Sequence, residues 1–262
     1  MTMQTPYLVA TRFSLLEHAR NRLALGLLIL FVPLWFGLIG AMIPNDLVAF
    51  KLMSTGRTAR VNGHNLTVIT AGFNALTLIV GFMLYAATRR GALFDRRLVL
   101  SGYRQSVLLS AKLTALIGVA ALVSLYAVLV LLAFWWSASA PLIWLGFFSA
   151  ALIYGALGLL LGVLVDSELA GFFIVIMVSL LDTFLQAPVE NPLANKPFLA
   201  AFPTYGPMQV AVSGGFQHTF PPAAFLLSLA WFALLAGVGM GIFGLRTRRR
   251  GRRISGIQSA AL

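Results

Sequence analysis

Six long apolar stretches constrain what this chain can fold into more than any other feature. They cover residues 23–43, 66–87, 107–134, 142–165, 169–187 and 223–245. About 20 apolar residues, rising about 1.5 Å each, cross a hydrocarbon layer of about 30 Å, so each stretch reads as a transmembrane helix. Inside lipid every backbone N–H and C=O must find its partner within the segment, which selects helix. The balance of the 262 residues agrees, with 60% apolar and 10% charged; an average soluble domain carries about 25% charged residues. A soluble enzyme, a disordered tail and a collagen-like fibre are thereby excluded. The first stretch outruns the roughly 7–15 apolar residues of a signal peptide and contains Pro33 and Trp35, so it reads as a retained span. The absence of cysteine removes disulfides, thiolate metal sites, iron–sulfur clusters and covalently attached haem.

The formal charge of +12 belongs to topology, not to nucleic acid, because the basic residues cluster beside the apolar stretches. With six crossings, 15 of the 19 lysines and arginines fall on one side, in residues 1–22, in the segment 88–112 and in the tail 246–262. Only Lys51, Arg57, Arg60 and Lys196 fall on the other. The excess of positive charge marks the cytoplasmic side, so the expectation is a multi-pass protein of the cell membrane with both termini in the cytoplasm.

The connecting segments differ in character. Residues 1–22 mix Tyr7, Leu8, Phe13 and Leu16 with Arg12, Glu17, His18, Arg20 and Arg22, which reads as an amphipathic helix lying in the inner interface. Segment 88–112 reads as a short helix, a break at Ser101-Gly102 and re-entry into the membrane. Residues 44–65 read as a polar outer loop. Seven of the eleven prolines lie between Pro188 and Pro222, so that region reads as short helical pieces at the outer interface and not as a further span.

Catalytic chemistry finds little footing. The chain has no G-x-x-x-x-G-K-[ST] phosphate loop, no H-E-x-x-H and no G-x-S-x-G. His18, His64 and His218 are scattered over both sides, so no metal site is expected. Asp182 is the one acidic residue within a span, and an ionisable group there is a functional candidate by default. Asn74 and Gln186 are milder cases, fitted for helix–helix hydrogen bonds. Gly158-x-x-x-Gly162 and Gly237-x-x-x-Gly241 would let helices approach closely, either within the chain or between copies.

Taken together, the stretches "FDRRLVLSGYRQSVLLSAKLTALIG", "GALGLLLGVLVDSELAGFF" and "FLAAFPTYGPMQVAVSGGF" resemble the permease subunits of ABC-2 type ABC transporters, mostly exporters. The resemblance is one of layout and covers nearly the whole chain. It departs from the family at Asp95, where Glu is common, and at "LQAPVE", where a Gly is frequent. It implies an all-α membrane protein of six transmembrane helices forming a single domain, with an interfacial helix at 12–22, a cytoplasmic coupling helix at 92–101 and short outer helices between spans five and six. By position, Phe94, Asp95, Arg96, Arg97, Leu98, Arg12 and Arg20 would couple to the ATPase, while Asn74, Asp182 and Gln186 would face the translocation path. The chain itself would be no enzyme and would carry no cofactor. ATP and Mg would sit on a separate cytosolic ATPase present in two copies, and a second permease subunit, the same or homologous, would complete the path. Apolar and aromatic faces would suit efflux of a lipid-like or amphiphilic cargo. The competing expectation is an ATP-independent carrier or channel working through Asp182.

Overall fold

The computed structural model describes residues 4–52, 56, 58–189, 191, 193, 194 and 196–259, and for residues 4, 5, 23 and 246–259 the backbone alone. Arg57, Pro192 and the side chains of the basic tail therefore lie outside the described residues. Six helices are long and apolar enough to cross a membrane, which makes the chain a multi-pass membrane protein. They are α2 (Arg22–Met42), α3 (Gly63–Leu100), α4 (Gln105–Phe134), α5 (Ala140–Leu164), α6 (Glu168–Gln186) and α8 (Pro222–Ser259), the apolar part of the last ending at Leu245. Helix α1 (Gln4–Ala19) precedes them, and α7 (Tyr205–Gln217) follows a 3-10 turn at Pro197–Ala201.

Local chemistry sets several of these ends. Asn21 accepts from Ala24 N at 3.3 Å, Asn62 from His64 N at 2.9 Å and Ser167 from Ala170 N at 3.3 Å, capping α2, α3 and α6. At the far end of α3 the chain turns through Gly102 at φ +94°. Tyr103 N donates to Leu98 O and Gly102 N to Val99 O, the paired bonds that close a helix through a left-handed glycine.

Two expectations need correction. The polar loop after α2 contains an antiparallel hairpin of β1 (Leu47–Lys51) and β2 (Thr58–Asn62). Val48, Phe50, Ala59 and Val61 share one side of it, and Phe50 is buried against Phe216 of α7. Alternation with period two drives this pairing, so the protein is predominantly but not wholly α-helical. The second correction concerns the coupling helix: 92–101 is no separate element but the last turns of α3, which runs unbroken for 38 residues. Gly91 is the weakest helix former in "ATRRGALFDRRLVL", and one glycine costs only about 1 kcal/mol in a helix. The break falls at Ser101-Gly102.

Helices α3 and α5 form the centre, their apolar stretches 83% and 72% buried, and the others pack around them. Glycine makes the central contact possible. A Cβ on Gly158 would strike the Gly81 carbonyl and come within 2.9 Å of Tyr85 N, and one on Gly162 would meet Thr88 Cβ at 2.6 Å. Gly158-x-x-x-Gly162 is thus a seam within the chain. Gly237 and Gly241 have open space where a Cβ would go. Helix α7 does not lie on the surface: Gly206 to Gly215 are buried, wedged against α5 and α8.

The packing gathers the connections onto two faces. On the hairpin face, Phe216 stacks on Trp135 at 5.0 Å and Ser139 bonds His218, the left-handed cap of α7. On the other, Tyr103 OH donates to Pro6 O at 2.6 Å, Arg89 reaches Asp166, and Gly244 of α8 lies beside Gln105. This is the basic face.

Candidate functional site

Three groups of residues carry chemistry, one towards the hairpin face and two at the basic face. The first centres on Asp182, near the end of α6 and 3% exposed. Its carboxylate accepts from Tyr154 OH at 2.7 Å, from Thr204 OH at 2.6 Å and from Thr204 N at 3.0 Å. Gln186, one turn on, donates to Leu199 O at 3.1 Å. Both side chains therefore tie α6 to the segment leading into α7. Asn74 lies on α3 with its Oδ1 buried and unpartnered; three residues on, Thr77 shares a 2.6 Å hydrogen bond with Ser179 of α6. The structure joins Asp182 and Gln186 in one anchoring role and leaves Asn74 apart from it.

Tyr154 and Thr204 are the residues that sequence reasoning missed here. Their signal was present. Tyr154 stands on the span preceding the tight α5–α6 turn, at a depth that can meet Asp182, and Thr204 follows Pro203 in the segment that must fold back. A carboxylate already committed to three donors is a structural acceptor, and an orphaned buried donor costs about 1–3 kcal/mol. Asp182→Ala is therefore expected to release the segment after α6 while the helical body stays intact. Chymotrypsin cleavage at the exposed Phe198 would report it. Asp182→Asn, which keeps one acceptor oxygen, should be cleaved less. Cleavage of Asp182→Ala no faster than the parent would contradict the anchoring role.

At the basic face the end of α3 and the start of α4 form an antiparallel pair. At about 1.5 Å per residue α3 is about 57 Å long, well beyond a hydrocarbon layer of about 30 Å, so the pair stands out of that layer. Asp95 and Lys112 hold it together through a 2.5 Å ion pair, both side chains largely buried. His18 and Arg90 lie near Lys112, and Glu17 feels both members of the pair. Burial, helped by Lys112 and Arg90, holds the His18 imidazole down at about 4, so it is neutral at pH 7. Burial raises the Glu17 carboxyl above its ordinary value, with Lys112 and Arg90 opposing the shift.

The residues assigned to coupling by position do not act as one patch. Asp95 is buried on Lys112. Phe94, 63% exposed, and Arg97 point away from the helical body, Leu98 is half-buried, and Arg12 and Arg20 are exposed on and just beyond α1. Arg96 turns the other way. With Arg89, Ala92, Leu93 and Leu100 it lines a cavity of about 420 Å³ between α3, the end of α5 and Phe243 of α8, the third group. The partner of Asp95 was legible only as one of many basic residues: Lys112 lies beyond the Gly102 turn, on the stretch that runs back along α3.

The sequence matches no family model, and no relative is found among curated proteins.

Proposed function

We propose that the chain is the membrane-spanning permease subunit of an ATP-driven ABC exporter of the ABC-2 type, moving a lipid-like or amphiphilic cargo. The observation that carries this reading is the α3–α4 pair, which stands out of the basic face, is stapled by Asp95–Lys112 and presents Phe94 and Arg97 outward. An exposed aromatic beside an arginine on a braced helix is suited to a groove on a soluble partner. On this reading the basic face and both termini are cytoplasmic, in keeping with the excess of arginine there. The partner is an ATPase that binds ATP and Mg and engages in two copies, since this sequence contains no phosphate loop of its own. A second permease subunit would face the weakly buried α2, α6 and α8. A carrier working through Asp182 has less support, because that carboxylate is already committed to Tyr154 and Thr204.

The test is recovery of the tagged chain from its native membrane in mild detergent, with mass spectrometry of what accompanies it. A stoichiometric P-loop ATPase is expected. The double variant F94A/R97E should lower its recovery about tenfold or more at equal membrane abundance, as loss of an aromatic and an arginine anchor does at interfaces. Unchanged recovery would remove these residues from the docking surface.

A further inference from the structure

The cavity that takes Arg96 away from the coupling surface has a composition of its own. Its lining combines Arg89 and Arg96 with Ala92, Leu93, Leu100, Val163 and Phe243, and Asp166 stands at its rim. Arg89 and Arg96 are seven residues apart on α3, so they project on one stripe about 10 Å apart along the axis. The two η nitrogens of Arg89 lean on Asp166, one on the carboxylate at 3.5 Å and the other on the backbone carbonyl, leaving Nε buried without a partner. Asp166 is itself 89% exposed, so this is a weak pair that a stronger anion can displace. Arg96 makes no ion pair among the described residues.

The depth of the cavity is equally specific. It opens where three apolar stretches stop together: α3 reaches its first arginine at Arg89, α5 ends at Leu164, and the apolar part of α8 ends at Leu245. Three residues beyond Phe243 the sequence continues with Arg246, Arg248, Arg249 and Arg250. Cationic donors interleaved with apolar side chains along α3, with Val163 of α5 and Phe243 of α8 across from them, are the complement of an anion carrying an apolar tail. The volume, many times the roughly 30 Å³ of one water, admits a phosphodiester and its first substituents.

We propose that this cavity between α3, α5 and α8 binds the phosphate headgroup of an anionic membrane lipid, held by Arg89 and Arg96 with the acyl chains running along α8. The phosphate takes the Arg96 guanidinium and the η nitrogens of Arg89, and Asp166 gives up its hold on Arg89. The site requires only that the chain spans a membrane; it does not depend on an ATPase partner.

The experiment is native mass spectrometry of the tagged chain alone, purified in neutral detergent and offered phosphatidylglycerol or phosphatidylcholine, with inorganic phosphate as competitor. The expected result is retention of one phosphatidylglycerol about thirtyfold over phosphatidylcholine, as two arginines at a lipid surface give. R89Q/R96Q should abolish that preference, and R60Q, on the exposed side of β2 at the opposite face, should keep it. Should R89Q/R96Q fail to fold, R96Q alone reads the same effect, since Arg96 supports no ion pair. Equal retention of the two lipids would overturn the proposal, as would a preference that survives R96Q. Displacement by millimolar inorganic phosphate would make it a site for free phosphate and overturn the lipid assignment.

Discussion

Gly158→Ile is expected to abolish the folded state, whereas Gly237→Ile leaves it intact. At Gly158 even the first carbon of a side chain would strike the Gly81 carbonyl and crowd Tyr85 N, and both are backbone of α3. Backbone cannot rotate aside as a side chain can, so α5 would have to move away from its main partner. Overpacking in a well-filled core costs about 1–3 kcal/mol and more where the backbone must shift. In lipid the close approach of small residues is itself the source of helix association. At Gly237 a Cβ meets nothing within 4 Å, and replacing glycine in a helix recovers part of the roughly 1 kcal/mol it costs. Fluorescence-detected size exclusion after graded heating separates the two outcomes. A Gly158→Ile chain with the parental profile would contradict the central α3–α5 contact.

The second large effect is expected at Asp95 and Lys112. Removing one member of a buried ion pair leaves an uncompensated charge and costs about 3–5 kcal/mol, while replacing both by apolar residues of similar volume is often neutral. Asp95→Leu and Lys112→Met are therefore each expected to lower the thermal midpoint of the purified chain strongly, and the double variant to regain most of the loss. Arg90 would soften the Lys112 deletion somewhat, since it lies near enough to feel the same cluster. A double variant as poor as the worse single one would show that the two side chains do not act as a pair.

These two sites also show what the sequence discloses and what it withholds. The apolar stretches are legible because spanning lipid is a matter of length and composition, and the ends of α2, α4, α5 and α6 fall within a few residues of them, whereas α3 runs on to Leu100 and α8 to Ser259. Gly158-x-x-x-Gly162 is legible as a close contact, but its partner is not, since glycine spacing fixes how near a neighbour comes and not which neighbour it is. The Asp95–Lys112 pair is hidden for a related reason. Among many basic residues only the turn at Gly102 singles one out, and that requires knowing that α3 continues through Arg89 without a break. The hairpin at 47–62 was obscured because the loop around it is polar, although Val48 and Phe50 alternate against Ala59 and Val61. Asp182 stands out in sequence as an intramembrane charge, yet its anchoring role depends on Thr204, 22 residues away. Arg96 and Arg97, adjacent in sequence, look equivalent until the helix sends one into the α8 cavity and the other outward.

On the proposed reading the end of α3 is the surface that meets an ATPase, and a chain without cysteine allows that contact to be probed at a single position. A photoactivatable cross-linker would be attached to the one cysteine of Ser101→Cys, exposed at the end of α3 beside the docking residues, and in a separate chain to that of Ala49→Cys on β1, each in native membranes. The expected result is an adduct with a P-loop ATPase from position 101, formed only when the cytoplasmic side is accessible, and none from position 49. An ATPase adduct from neither position, with lipid adducts formed efficiently from both, would contradict the permease reading.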